Sequence, residues 1–119
     1  VESSLERSQT TKTMKPTSDN DGYPTEETLE TIKSWKIDSN KSIGDLLEFV
    51  GEAWAYTFPV ETGGENRDAW LRVATGGWSG NESLIEALQS NHLFWALCWL
   101  ESQRGGSHKF LYQPIKEKP

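Results

Sequence analysis

Apolar residues are sparse over the first 22 positions of the chain and then recur with regular spacing as far as position 112. Val1, Leu5 and Met14 are the only sizeable apolar side chains in VESSLERSQTTKTMKPTSDNDG, too few to offset the entropy of ordering it. A flexible lead is expected over residues 1–22. Helical spacing starts after Tyr23-Pro24-Thr25-Glu26-Glu27, where a proline followed by two acids marks a helix entrance. Leu29, Ile32 and Trp35 or Lys36 then form one narrow stripe. Asp38-Ser39-Asn40 interrupts the pattern, and Ser42 is placed to cap a second helix. There Ile43, Leu46, Leu47, Val50 and Trp54 fall at i, i+3, i+4, i+7 and i+11, with Asp45, Glu48 and Glu52 on the other side. The exposed face of this helix is expected to be acidic.

Beyond residue 54 the period shortens. Alternating aromatics in AYTF, residues 55–58, suit a short edge strand that Pro59 limits, and Gly63-Gly64-Glu65-Asn66 reads as a loop. Residues 69–75 alternate as a strand, with Leu71 and Val73 on one face and Trp70 and Arg72 on the other. TGGWSG follows, then a helix over about 82–90 whose buried stripe is Leu84, Ile85 and Leu88. The run HLFWALCWLESQ is ambiguous. Leu, Ala and Glu favour helix, yet RGGS makes a natural hairpin turn between two apolar runs, and the strand reading over 93–102 is preferred. As a strand it is apolar on both faces, with Leu93, Trp95, Leu97 and Trp99 on one side, and it belongs in the middle of a sheet. Its hairpin partner is Lys109-Phe110-Leu111-Tyr112, Pro114 ends that strand, and the 69–75 strand is expected beside 93–102. The succession describes one small α+β domain over 23–113, a mainly antiparallel sheet of about three strands with two or three helices packed on it. Residues 114–119 form a tail.

Composition adds that the core must be aromatic, since the 119 residues include 6 Trp, 4 Phe and 3 Tyr but are only 34% hydrophobic. The longest apolar run, LFWALCWL, is less than half of the roughly 20 residues that a membrane-spanning helix needs, so no membrane association is expected. The opening segment has no apolar stretch of the signal-peptide kind, and the single cysteine, Cys98, fits a reducing compartment; a cytoplasmic location is expected. The net charge is −6, divided as −2 over residues 1–42, −7 over 43–103 and +3 over 104–119. An acidic middle with only Arg67 and Arg72 as cations lacks the density that phosphate neutralisation requires, which argues against direct nucleic-acid binding. The same charge suits a protein partner with a basic surface, although acidity also serves solubility alone.

The glycine-rich TGGWSGNE, residues 75–82, invites a phosphate or nucleophile reading. A phosphate loop needs Lys after its last glycine, whereas Gly80 precedes Asn81 and Glu82, a carboxylate that would repel the anion. A nucleophile elbow needs its second glycine two residues after the serine, and Gly80 follows Ser79 directly. The pattern fits a capping box better, with Ser79 at the N-cap and Glu82 three residues on, leaving Trp78 as the residue offered to a partner. His92 and His108 flank the last hairpin, but with Cys98 they lack a fourth ligand for a tetrahedral metal site; no metal or cofactor is expected. Cys98 has no cation or base beside it and reads as an inert buried thiol. Trp35, Trp54, Trp95 and Trp99 fall on apolar faces, whereas Trp70, Trp78 and the Arg104 of the QRGGSH turn suit recognition.

GGWSGNESLIEALQSNHLFWALCWLESQRGGSHKF resembles a pattern of small uncharacterised bacterial and phage proteins, GGWSGNE, a helix, FW, CW and RGG before a hydrophobic strand. YPTEETLETIKSW is similar to their opening segment, so the resemblance spans roughly residues 23–113. It implies a phage or mobile-element setting and transfers no activity, catalytic residue or cofactor. Ser107 stands between RGG and His108, where that pattern has the histidine directly after the glycines. The expectation is a non-enzymatic acidic module that binds and neutralises another protein, as immunity and phage anti-defence proteins do, through Asp45, Glu48, Glu52, Trp78 and Arg104. The competing expectation is a ligand-binding or enzymatic site between the TGGWSG and QRGGSH turns.

Overall fold

A computed structural model describes residues 15–116. Residues 1–14 of the expected lead and 117–119 of the expected tail lie outside the described residues. The fold is α+β, and the described residues form four α-helices and a four-stranded antiparallel sheet. In chain order the elements are α1 (Glu26–Lys33), α2 (Asn40–Ala53), β1 (Glu61–Gly63), β2 (Trp70–Ala74), α3 (Ser79–Ser90), α4 (His92–Cys98), β3 (Trp99–Gln103) and β4 (Ser107–Leu111). The strands lie in the order β1-β2-β4-β3, one more strand than the alternation suggested.

The two leading helices form where the apolar stripes place them, with local chemistry fixing their ends. The side chain of Thr25 caps α1 by accepting from the Thr28 amide, Glu26 and Glu27 lie in the first turn and Lys33 in the last, all complementing the helix dipole. The N-cap of α2 lies three residues before the expected one. Ser39 is the N-cap and Ser42 its reciprocal partner: Ser39 Oγ accepts from the Ser42 amide while Ser42 Oγ accepts from the Ser39 amide. Two short hydroxyls satisfy each other's backbone donors, so the helix also takes in Asn40 and Lys41. Ile43, Leu46, Leu47, Phe49 and Val50 are buried along α2, and Trp54 follows them into the core. Before α1, Ser18 bridges to Pro24 and the Thr17 amide donates to Thr28 Oγ1.

The expected strand at 55–58 is absent. Its aromatics fold back onto α2, with Phe58 packed against Gly51 and its ring 5.3 Å from that of Trp54, and Tyr56 has φ of +76°, outside any strand geometry. The edge strand is displaced to β1, in the stretch expected as loop, where Glu61, Thr62 and Gly63 pair with Arg72, Leu71 and Trp70. Strand β2 has the predicted faces, Leu71 and Val73 buried, Trp70 and Arg72 half-buried on the other side. Along that outer face Glu61, Arg72, Lys109 and Glu101 form a lateral row across all four strands, and Lys109 lies 4.3 Å over the Trp70 ring.

HLFWALCWLESQ is neither all strand nor all helix. Asn91 Oδ1 accepts from the Phe94 amide and starts α4, which buries Phe94 and Cys98 at i and i+4; the chain then extends at Trp99 into β3. The all-apolar faces therefore do not belong to a central strand. β4 pairs with β2 and takes the place expected for 93–102, whereas β3 is an edge strand with all five residues exposed. Trp99, expected in the core, is 41% exposed. The core joins Ile32, Ile43, Leu46, Val50, Leu84, Leu88 and Phe94 of the helices to Val73 and Phe110 of the sheet. Among the described residues no helix is long and apolar enough to cross a membrane.

Candidate functional site

The TGGW segment is a turn held from three sides. Gly76 and Gly77 have φ of +65° and +77°, a left-handed pair that turns the chain from β2 into α3. Thr75 meets the tip of the β3–β4 hairpin, its amide donating to the Gly106 carbonyl at 3.0 Å. The two turns touch so closely there that a Cβ on Gly106 would collide with Thr75 Oγ1. No space remains at that point for a ligand between them.

On the other side the turn is tied to the segment after α2 by one side chain. Asn81 is 0% exposed; its Oδ1 accepts from the Ala55 amide at 2.9 Å, and its Nδ2 donates to the Ala55 carbonyl at 3.0 Å and to the Thr75 carbonyl at 3.1 Å. These bonds pair an otherwise buried amide and hold Ala55 against Thr75. Tyr56, next in the chain, is thereby presented with 72% of its surface in water, its ring edge resting on Gly76.

Helix α3 starts at Ser79, with Trp78 as its N-cap and no side-chain cap, so the capping box expected of Ser79 and Glu82 does not form. Ser79 Oγ instead meets Tyr23 Oη at 3.2 Å, and Asn81, which carries the loop contacts, lies in the first turn in place of the loop expected there. Trp78 is half-buried, its ring over Gly80 and 4.9 Å from the Tyr23 ring. Tyr23, Tyr56, Trp78 and the Gly76-Gly77 backbone thus share one end of the domain, and Arg104 is exposed on the hairpin tip that abuts it.

The acidic residues of α2 are exposed as expected, but two of them are neutralised within the chain. Asp45 pairs with Lys41 at 3.1 Å and Glu52 with Lys15 at 3.2 Å, whereas Glu48 has no cation partner among the described residues. Glu48 and Glu52 occupy the C-terminal half of the helix, whose dipole disfavours them, and the chain runs from Glu52 to Tyr56 in four residues. Asp45 lies about 10 Å from Glu52 along the axis, at 1.5 Å per residue, and belongs to the other end.

The histidines do not face each other. His108 sits across from Ser102 in the hairpin register, and Ser102 Oγ lies 2.7 Å from His108 Nδ1 while accepting from Trp99 Nε1 at 2.9 Å. The Ser102 oxygen keeps a second lone pair beside the indole proton, so it can donate to Nδ1 or accept from it, according to the imidazole tautomer. Burial holds the imidazole below its usual pKa, and the Glu82 carboxylate opposes that shift. Burial also pushes the Cys98 thiol up to about 12, which leaves it protonated and inert. Among the described residues no group of three or more His, Cys, Asp or Glu is arranged to hold a metal ion.

No family model, curated protein or solved structure matches this chain. Its function must be read from its own surface. Tyr56 and Asn81 are the residues sequence reasoning passed over. Asn81 was legible in part, since it extends the stripe of Leu84, Ile85 and Leu88 by one turn at i, i+3, i+4 and i+7. A positive φ at Tyr56 has no sequence signature.

Proposed function

We propose that this domain is a non-enzymatic binding module that captures another protein. The contact surface is the end carrying Tyr56, Gly76-Gly77, Trp78 and Arg104, with Glu48 and Glu52 as its acidic flank. The observation that carries this reading is the fixed display of Tyr56, a large ring 72% exposed on a backbone of unfavourable φ and clamped by a buried asparagine. A folded chain gains nothing for its own core from a ring in water, whereas a rigid Tyr, Trp and Arg cluster is what protein interfaces concentrate. The negative charge of residues 43–103 supports a partner with a basic surface, the acids steering its approach. A module that neutralises its target, of the immunity or phage anti-defence kind, fits this size and charge.

The test compares capture by immobilised wild-type chain with capture by Tyr56→Gly and by the triple reversal Asp45→Lys, Glu48→Lys, Glu52→Lys. Glycine takes the left-handed φ of residue 56 without strain, so the first variant removes the ring and keeps the loop. Loss of the retained protein in Tyr56→Gly, and slower association in the triple variant, are expected with unchanged thermal midpoints. Equal capture by all three chains would refute the assignment of this surface.

A further inference from the structure

A second surface stands apart from the loop end. β3 is an edge strand of five exposed residues, Trp99–Gln103, whose far side hydrogen-bonds to no other strand among the described residues. Natural edges of this length are blunted by charged side chains, proline, bulges or a covering element; among the described residues this one carries a single charge, Glu101, and a bulge between Trp99 and Glu101, with no lysine or proline in the strand. No charged residue occurs from Ala87 to Leu100, and Leu93, Leu97, Trp99 and Leu100 are all exposed along the helix that feeds the strand and the strand itself. In a chain of net charge −6 this stretch brings no like charges together, and Glu101 is the one acid of the strand it leads into.

We propose that two copies of this chain pair antiparallel through the β3 edge, with Ser102 on the two-fold axis, to make one continuous eight-stranded sheet. The register follows from the side chains. Glu101 and Gln103 belong to the outer face, as their partners Lys109 and Ser107 show, while Ser102 and its partner His108 belong to the core face. Residues directly opposite in an antiparallel pair share a face, so an axis through a residue keeps both helical layers on one side of the joined sheet. An axis at Glu101 would set that carboxylate against itself. The bulge removes Leu100 as a centre. At Ser102 each Glu101 lies across from Gln103 of the other copy, and the Gln103 amide that donates to Glu101 Oε2 at 3.3 Å within one chain has an equivalent acceptor across the axis. Lys109, 3.8 Å from Glu101, further offsets the carboxylate.

Sedimentation of the full chain across a concentration series, together with a register-specific crosslink, tests this. The expected mass is twice 13.5 kDa, falling to one copy for Leu100→Lys, which places a charge on the edge and raises the dissociation constant at least about tenfold. Ser102→Cys should close a disulfide between copies on mild oxidation, much faster than Glu65→Cys, placed on an exposed loop near the opposite edge. A single-copy mass at every concentration would overturn the proposal. So would a dimer whose Ser102→Cys form crosslinks no faster than Glu65→Cys, because the copies would then meet elsewhere. Neither result bears on partner capture by the Tyr56 end.

Discussion

Replacing Asn81 by alanine removes one side chain and strands three backbone groups. The Ala55 amide, the Ala55 carbonyl and the Thr75 carbonyl lose partners at 2.9, 3.0 and 3.1 Å, around a side chain that is 0% exposed. A buried group left unpaired costs about 1–3 kcal/mol, and water reaching the vacated space recovers part of it, so a loss of roughly 3–5 kcal/mol is expected for Asn81→Ala. Against a total of about 5–15 kcal/mol for a domain of this kind, that loss moves a denaturation midpoint far outside experimental error. Asn81→Asp should be at least as damaging, because its second oxygen faces two carbonyls that now accept from Nδ2. Urea titration followed by tryptophan fluorescence gives the free energy, and hydrogen exchange at the Ala55 amide reports the clamp itself. Loss below about 1 kcal/mol, or an Ala55 amide equally protected in Asn81→Ala, would refute the claim that this side chain holds the two segments together.

Gly106→Ala should cost at least about 2 kcal/mol, because residue 106 has φ of +86° and the added Cβ would meet Thr75 Oγ1; unaltered thermal unfolding would contradict the packed contact between the turns. His108 is held below its usual pKa by burial, so the unfolded chain takes up the proton first and stability should decline as pH falls below about 6.5, levelling off once the folded ring also titrates. His108→Gln should lose that part of the pH dependence, and identical slopes for the two chains between pH 7 and 5 would count against it. Cys98, with its pKa near 12, should react with a thiol reagent at pH 8 only as fast as the domain unfolds, and immediate labelling of the native protein would show that the thiol is accessible.

The helical parts of the fold were legible because they depend on local spacing. Ile43, Leu46, Leu47 and Val50 mark α2 and Leu84, Ile85 and Leu88 mark α3, and both stripes face the core. Caps were less legible, since Ser39 and Ser42 are both competent and only the reciprocal geometry decides which one starts the helix. The sheet order was not legible. Hairpin formation at Gly105-Gly106 is a local signal, but whether β2 joins β3 or β4 depends on which strand has room beside it, and α4 uses the residues that would have lengthened β3. At the candidate site the acids and Trp78 were visible as residue types. The Lys41–Asp45 pair is a local i,i+4 contact within α2, whereas the Lys15–Glu52 pair and the clamp from Asn81 that exposes Tyr56 arise only when distant segments meet.

Oxidative footprinting of the chain alone and with a protein retained on it asks whether the Tyr56 end of the domain is a binding surface. Protection of Tyr56 and Trp78 is expected on binding, with Trp70 on the outer face of the sheet labelled equally in both states. Protection of Trp70 with Tyr56 and Trp78 unchanged would contradict this reading and move the contact to the open face of the sheet.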